Sequence, residues 1–125
     1  MKHETGAVLF TINLQSLATF YERVFDMRVL HTEDDHIRLE AGSFRLTVHQ
    51  IPERYAKNIT IEKPPVVREA TAIKLAFRVK DIAKARETAA QLGGLIYSSD
   101  REWQHDGSTI CDGYDSDGNV FQLWQ

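Results

Sequence analysis

The sequence predicts an α+β domain in which two βαβββ modules form a cupped, mostly antiparallel sheet with helices on its convex side. Three observations lead there. Short β-rich segments outnumber helical stretches, of which only two are strongly amphipathic. Each of those two follows a strand and opens at a capping residue, Asn13 or Asp81. The two caps are 81 − 13 = 68 residues apart, which one unit used twice would produce.

The elements follow in order. Ala7–Asn13 is dense in β-formers and reads as a strand. Leu17, Phe20, Tyr21, Val24 and Phe25 then fall at helical spacing, so a helix with one buried face should run to about Asp26. Arg28–Thr32, Ile37–Glu40 and Phe44–Gln50 read as three strands, with turns at Asp34-Asp35 and Ala41-Gly42-Ser43. In the third, Phe44, Leu46 and Val48 share one face and Arg45, Thr47 and His49 the other. Pro52 can open a short helix through Asn58, helped by a Glu53–Lys57 pair, and Pro64-Pro65 forces extended backbone.

The second half repeats the theme. Ile73–Val79 reads as a strand, and Ile82, Ala85, Ala89 and Leu92 form the stripe of a helix stopped at Gly93 or Gly94. Leu95–Ser98, Ser108–Gly113 and Asn119–Gln125 complete the set, with a strong turn at Asp115–Asn119. Asp100–Gly107 is polar and reads as a mobile loop. The expected organisation is one domain over 1–125, with modules at about 6–51 and 72–125 and a linker at about 52–71.

Composition narrows the function. Apolar residues make up 42%, enough to build a core, and the net charge of −3 is mild. The basic residues are scattered, so nucleic acid is not an expected partner. No run approaches the roughly 18 apolar residues of a spanning helix, so neither is a membrane. Cys111 is the only cysteine, which rules out an intramolecular disulfide and a Cys-rich zinc site and suits a reducing, cytoplasmic setting. The start at Met1-Lys2-His3 lacks the apolar run of a signal peptide.

Two motifs carry a resemblance. Asn13-Leu14, Phe20-Tyr21 and Phe25-Asp26-Met27 resemble an opening "D-L…F-Y…L-G-M" run, and Tyr114–Leu123 resembles a closing "D-P-D-G-N-x-x-E-L" run. Together they resemble the vicinal oxygen chelate superfamily: glyoxalase I, fosfomycin resistance enzymes, extradiol dioxygenases and bleomycin resistance proteins. The resemblance implies paired modules around a cup and a homodimer. In many members it also implies a divalent metal held by His, Glu or Gln from opposed strands and acting as a Lewis acid.

Carried over residue by residue, the ligand positions fall on Gly6, Lys74 and Gln122, with Arg45 the nearest match to a further fourth-strand Glu. Gly6 and Lys74 are 74 − 6 = 68 apart, in step with the caps. Glycine offers no donor atom and arginine no lone pair. A lysine roughly 4 Å from a divalent ion costs several kcal/mol at an effective dielectric of about 20. Only Gln122 is left as a weak ligand, so the expectation is no metal or other cofactor; a divalent metal is the one to expect if there is any.

The same alternation places Arg45, Lys74 and Arg78, with Thr47, His49, Phe10, Gln122 and Trp124, around a basic, partly aromatic pocket for an anionic or planar small molecule. The plainer reading of Lys74 is a solvated strand residue. His31 and His36 read as exposed polar residues, His3 as part of a frayed terminus and His105 as a loop residue at the cup's mouth. His49 reads as polar lining before catalytic base, and Cys111 as a small core residue. Trp103 and Trp124 suit stacking on a ligand, though core or dimer-interface packing is the commoner fate of such residues.

Three functions compete. The first is a metal-free binding protein of the bleomycin resistance type. The second is a metal-dependent lyase, isomerase or dioxygenase with a displaced ligand set such as His49, Gln122 and a loop histidine. The third is a partner-binding surface with a vestigial cup.

Overall fold

The structure is a computed structural model that describes residues 5–125. The chain divides into two compact units, the first ending at Thr60 and the second running from Ile61 to Gln125. The α+β class holds, with a four-stranded sheet in the first unit and a five-stranded sheet in the second.

The first unit runs β1 (Thr5–Thr11), α1 (Leu14–Val24), β2 (Arg28–Thr32), β3 (His36–Ala41), β4 (Phe44–Gln50) and a single helical turn, α2 (Glu53–Ala56). Its sheet order is β1-β4-β3-β2, with β1 parallel to β4 and the other pairs antiparallel. α1 packs on β3 and β4 and buries Leu17, Ala18, Phe20, Tyr21 and Val24, the face its spacing predicts. Ile37 and Leu39 of β3 and Leu46 and Val48 of β4 complete this core. Asp26, at φ +53°, ends the helix in the left-handed region. The Asn13 side chain makes no capping bond; Thr11 Oγ1 instead accepts the Asn13 N–H at 2.8 Å. α2 stops at Ala56, short of the expected Asn58.

The second unit runs β5 (Leu75–Arg78), α3 (Ile82–Gln91), β6 (Leu95–Ile96), β7 (Trp103–His105), β8 (Ser108–Tyr114) and β9 (Val120–Trp124). The order is β5-β9-β8-β6, with β7 also on β8 and β5 parallel to β9. α3 is capped as expected: the Asp81 carboxylate accepts the Lys84 N–H at 3.2 Å. Ile82, Ala85 and Ala89 are buried, while Leu92 is only half-buried.

Two expectations need correction. β5 is shorter than Ile73–Val79, with Ile73 exposed and Lys74 outside the strand. Asp100–Gly107 is not a loop throughout. A 3-10 turn at Ser99–Arg101 interrupts the edge of the sheet, and β7 then pairs with β8. Asp106 at φ +54° and Gly107 at φ +79° close that hairpin, both central residues taking the positive φ that a two-residue Asp-Gly turn favours.

Cys111 lies on the helix-facing side of β8, fully buried. Its Sγ donates to Tyr97 O at 3.3 Å and lies 4.0 Å from the Arg86 guanidinium, which also pairs with Glu102 at 2.5 Å. Burial pushes the thiol pKa up, against the pull of Arg86. The raised value means the unfolded chain ionises first. This contribution to stability is therefore whole below the unfolded thiol pKa of about 8.5 and is lost as pH climbs toward the folded value. At pH 8 the native thiol should react with iodoacetamide at least about tenfold more slowly than in the urea-unfolded chain. Comparable rates would contradict the buried placement.

Candidate functional site

In the first unit α1 packs on β3 and β4, and in the second α3 packs against β6; the face of each sheet turned away from its helix is its open face, although Ile110 on the second is buried. On the first sheet, the registers set the open face in rows. Gly6, Arg45, Glu40 and Arg28 make one row, and Val8, Thr47, Arg38 and His31 a second. Phe10, His49 and His36 make the third. The structure thus brings together Phe10, Arg45, Thr47 and His49, as alternation predicts. Phe10 is 62% exposed and Val8 53%, so an apolar strip lies open beside the polar rows.

The first row is an ion-pair chain that the sequence reading missed. Half-buried Glu40 accepts from exposed Arg28 at 2.5 Å and from half-buried Arg45. Arg45 therefore points along the sheet toward a carboxylate. The third row is a stack. The His36 and His49 rings lie 5.8 Å apart and 12° from parallel, with Phe10 5.7 Å from His49. Asp35, in the β2–β3 turn, lies 2.8 Å from His36 Nδ1 and 3.8 Å from His49 Nε2. The hydrogen bond from His36 holds its carboxyl below the usual range, reinforced by the charges of both imidazoles. His36, read from the sequence as an exposed polar residue, is instead half-buried and packed against Asp35 and His49.

On the second sheet the open face carries Ala76, Gln122 and Asp112 in one row, and Arg78, Trp124, Ile110 and Trp103 in the next. Asp112, also missed, organises the first of these. Its carboxylate accepts from Lys74 Nζ at 3.0 Å and from Gln122 Nε2 at 3.4 Å. Gln122 Oε1 in turn accepts from Trp124 Nε1 at 2.6 Å, and His105 meets the Trp124 ring edge-on at 6.1 Å. Gln122 pairs with Ala76 rather than with Lys74. His3 lies outside the described residues.

The donors at the positions where the superfamily places a metal can now be weighed in their surroundings. A Cβ on Gly6 would fall 2.0 Å from the Arg45 carbonyl oxygen, so this position cannot carry a side chain without moving backbone. Arg45 and Lys74 each bring a cation already paired with a carboxylate. The one neutral oxygen, Gln122 Oε1, already accepts a hydrogen bond. These residues do not fit a divalent ion.

Comparisons agree with the fold. The family model for the glyoxalase-like domain matches residues 7–124. Among solved structures, the chain is similar to a glyoxalase/bleomycin resistance protein/dioxygenase family enzyme from Burkholderia phytofirmans PsJN. That match has a TM-score of 0.69 at 16% identity, over 96% of this chain and 95% of that one. It is also similar to the fosfomycin resistance protein FosX of Listeria monocytogenes (TM-score 0.66, 12% identity, 99% and 93% covered). A bleomycin-binding protein, solved in complex with bleomycin, matches with a TM-score of 0.59 at 21% identity, over 100% and 98%. Among curated proteins no match is found. Among the described residues, no helix is long and apolar enough to cross a membrane.

Proposed function

The chain belongs to the glyoxalase-like domain family of the vicinal oxygen chelate superfamily, and from that premise we propose that it is a binding protein for a planar, anionic small molecule that works without the superfamily's metal. What supports this reading is that the positions carried over from the superfamily's ligand set hold a side-chain-free glycine and two cations, Arg45 paired with Glu40 and Lys74 paired with Asp112. Lys74 and Asp112 balance each other, but Arg28 and Arg45 share the single Glu40 carboxylate, and that excess of one positive charge disfavours a dication and favours an anion.

The strands of the first open face supply the rest. Among the described residues they carry Arg28, Arg38 and Arg45 beside Glu40, with Asp35 in the adjoining turn. Exposed Phe10 and Val8 beside them offer a ring and an aliphatic surface to a flat ligand, with Thr47 and His49 as hydrogen-bonding neighbours. On the second sheet, Gln122, Trp124, Arg78 and Lys74 form a polar and aromatic group of similar character. The bleomycin-binding relative also holds a small molecule, and a homodimer in the cytoplasm is the form this reading expects.

The test is calorimetric titration of the purified protein, in buffer containing a chelator, with 2-naphthoate and with its neutral analogue 2-naphthylmethanol. Naphthoate should bind saturably and the alcohol at least about tenfold more weakly, because one charge-assisted contact contributes about 1.5–3 kcal/mol. Arg45→Gln should weaken naphthoate by a similar factor. Equal binding of the two compounds, or no effect of Arg45→Gln, would remove the reading.

A further inference from the structure

Among the described residues, Asp35, His36 and His49 are the group whose side chains offer three potential metal-ligand atoms within 4.8 Å of one another. We propose that this group is a binding site for a zinc-class divalent cation, built into the rim of the first sheet and separate from the superfamily's ligand positions. Nothing in it depends on the anion-binding reading above.

The geometry carries the proposal. His36 and His49 are directly opposed on β3 and β4, so the backbone ladder fixes their spacing. The two ring centroids lie 5.8 Å apart with the planes 12° from parallel, and each ring brings a nitrogen near Asp35. His49 Nδ1 donates to Gln50 O at 2.9 Å; a carbonyl can only accept, so in the neutral ring the lone pair sits on Nε2, the atom 3.8 Å from Asp35 Oδ2. That backbone contact to the far ring nitrogen is the support a metal-ligating histidine usually receives. His36 Nδ1 lies 2.8 Å from Asp35 Oδ1. With its proton moved to Nε2, His36 presents a second nitrogen lone pair beside the carboxylate.

Zinc bonds of about 2.0–2.2 Å in a tetrahedron place ligand atoms roughly 3.3 Å apart. His36 Nδ1 is 2.8 Å from Asp35 Oδ1 and His49 Nε2 is 3.8 Å from Asp35 Oδ2, and one ligand atom from each residue lies within 4.8 Å of the others, so the side chains must draw together by up to about 1.5 Å to share an ion. Two imidazoles and one carboxylate suit zinc and its neighbours, whereas magnesium and calcium demand oxygen. The fourth position would be left to water. The ion would tie the β2–β3 turn to β4. His31 does not join the three; its Nε2 is 2.8 Å from Glu33 Oε1.

The experiment uses full-length, untagged protein stripped with chelator and titrated with Zn2+ and, separately, Mg2+. One Zn2+ per chain should bind at micromolar concentration and raise the unfolding temperature, with no response to Mg2+. His36→Gln and His49→Gln should each weaken Zn2+ by at least about tenfold, and His105→Ala should leave it unchanged. Circular dichroism and the metal-free melting temperature of the two glutamine variants establish that they fold. His36→Ala and His49→Ala are the substitutes should either fail. Absence of stoichiometric Zn2+, wild-type affinity in both histidine variants, or loss of binding in His105→Ala would overturn the proposal. Naphthoate binding in chelator is measured separately, so the failure of one proposal is distinguishable from that of the other.

Discussion

Gly118→Ala is expected to lower the unfolding free energy by about 3–5 kcal/mol, a drop in melting temperature of roughly 10–20 °C. Two penalties coincide at this residue. Its φ is +88°, which a side chain disfavours by about 1–2 kcal/mol. A Cβ would also sit 2.1 Å from the Val66 carbonyl oxygen, where only backbone can give way. The displaced segment is held to the turn by the Arg68 N–H, which donates to Gly118 O at 2.9 Å. The turn itself is organised around Asp115, fully buried, whose Oδ1 accepts from the N–H groups of Asp117 and Asn119 at 2.9 and 3.0 Å. Moving the chain at Gly118 strains those bonds together. Gly42→Ala is the internal control: φ is +58°, but nothing lies within 4 Å of an added Cβ. It should cost only about 1–2 kcal/mol. Similar losses in both variants, measured by urea unfolding, would show that the close approach of Val66 contributes nothing.

The difference between these glycines marks what the sequence could show. The Asp-Ser-Asp-Gly-Asn turn is legible because turn chemistry is local. That the 61–70 segment packs on it is not, because nothing local dictates which distant carbonyl meets Gly118. The helices are legible for the same reason: Leu17, Phe20, Tyr21 and Val24 report their own periodicity. The β7–β8 hairpin was legible too, since Asp106-Gly107 between two short β-rich runs is a hairpin signal, and the polar character of the segment masked it. The candidate site divides the same way. Alternation alone put Arg45, Thr47 and His49 on one face. Glu40, Asp112 and the Asp35–His36–His49 group depend on which residue of a neighbouring strand stands opposite. That register is set by pairing across the sheet rather than by any local pattern.

Placing a histidine at residue 6 is expected to destabilise the protein by about 2–3 kcal/mol and to create no metal centre. Gly6 stands opposite Arg45 in the parallel β1–β4 pair. An added Cβ would be 2.0 Å from Arg45 O, 2.9 Å from its carbonyl carbon and 3.1 Å from its Cβ. Carbon–oxygen contacts of this kind normally stand no closer than about 3.3 Å, so the strands must part by more than an ångström near the start of β1. Because the clash belongs to the first atom of the side chain, Gly6→Ala and Gly6→His should lose similar stability in thermal unfolding. Parting the strands also disturbs the Arg45–Glu40 pair beside them, and an imidazole placed there would face that guanidinium rather than a vacant donor set. Equilibrium dialysis against zinc should therefore give Gly6→His the same number of ions per chain as the parent. A Gly6→His protein that is as stable as its parent and takes up one additional ion would mean that the missing side chain at residue 6 alone keeps metal from this position. The neighbouring Arg45 would then not be what keeps metal out.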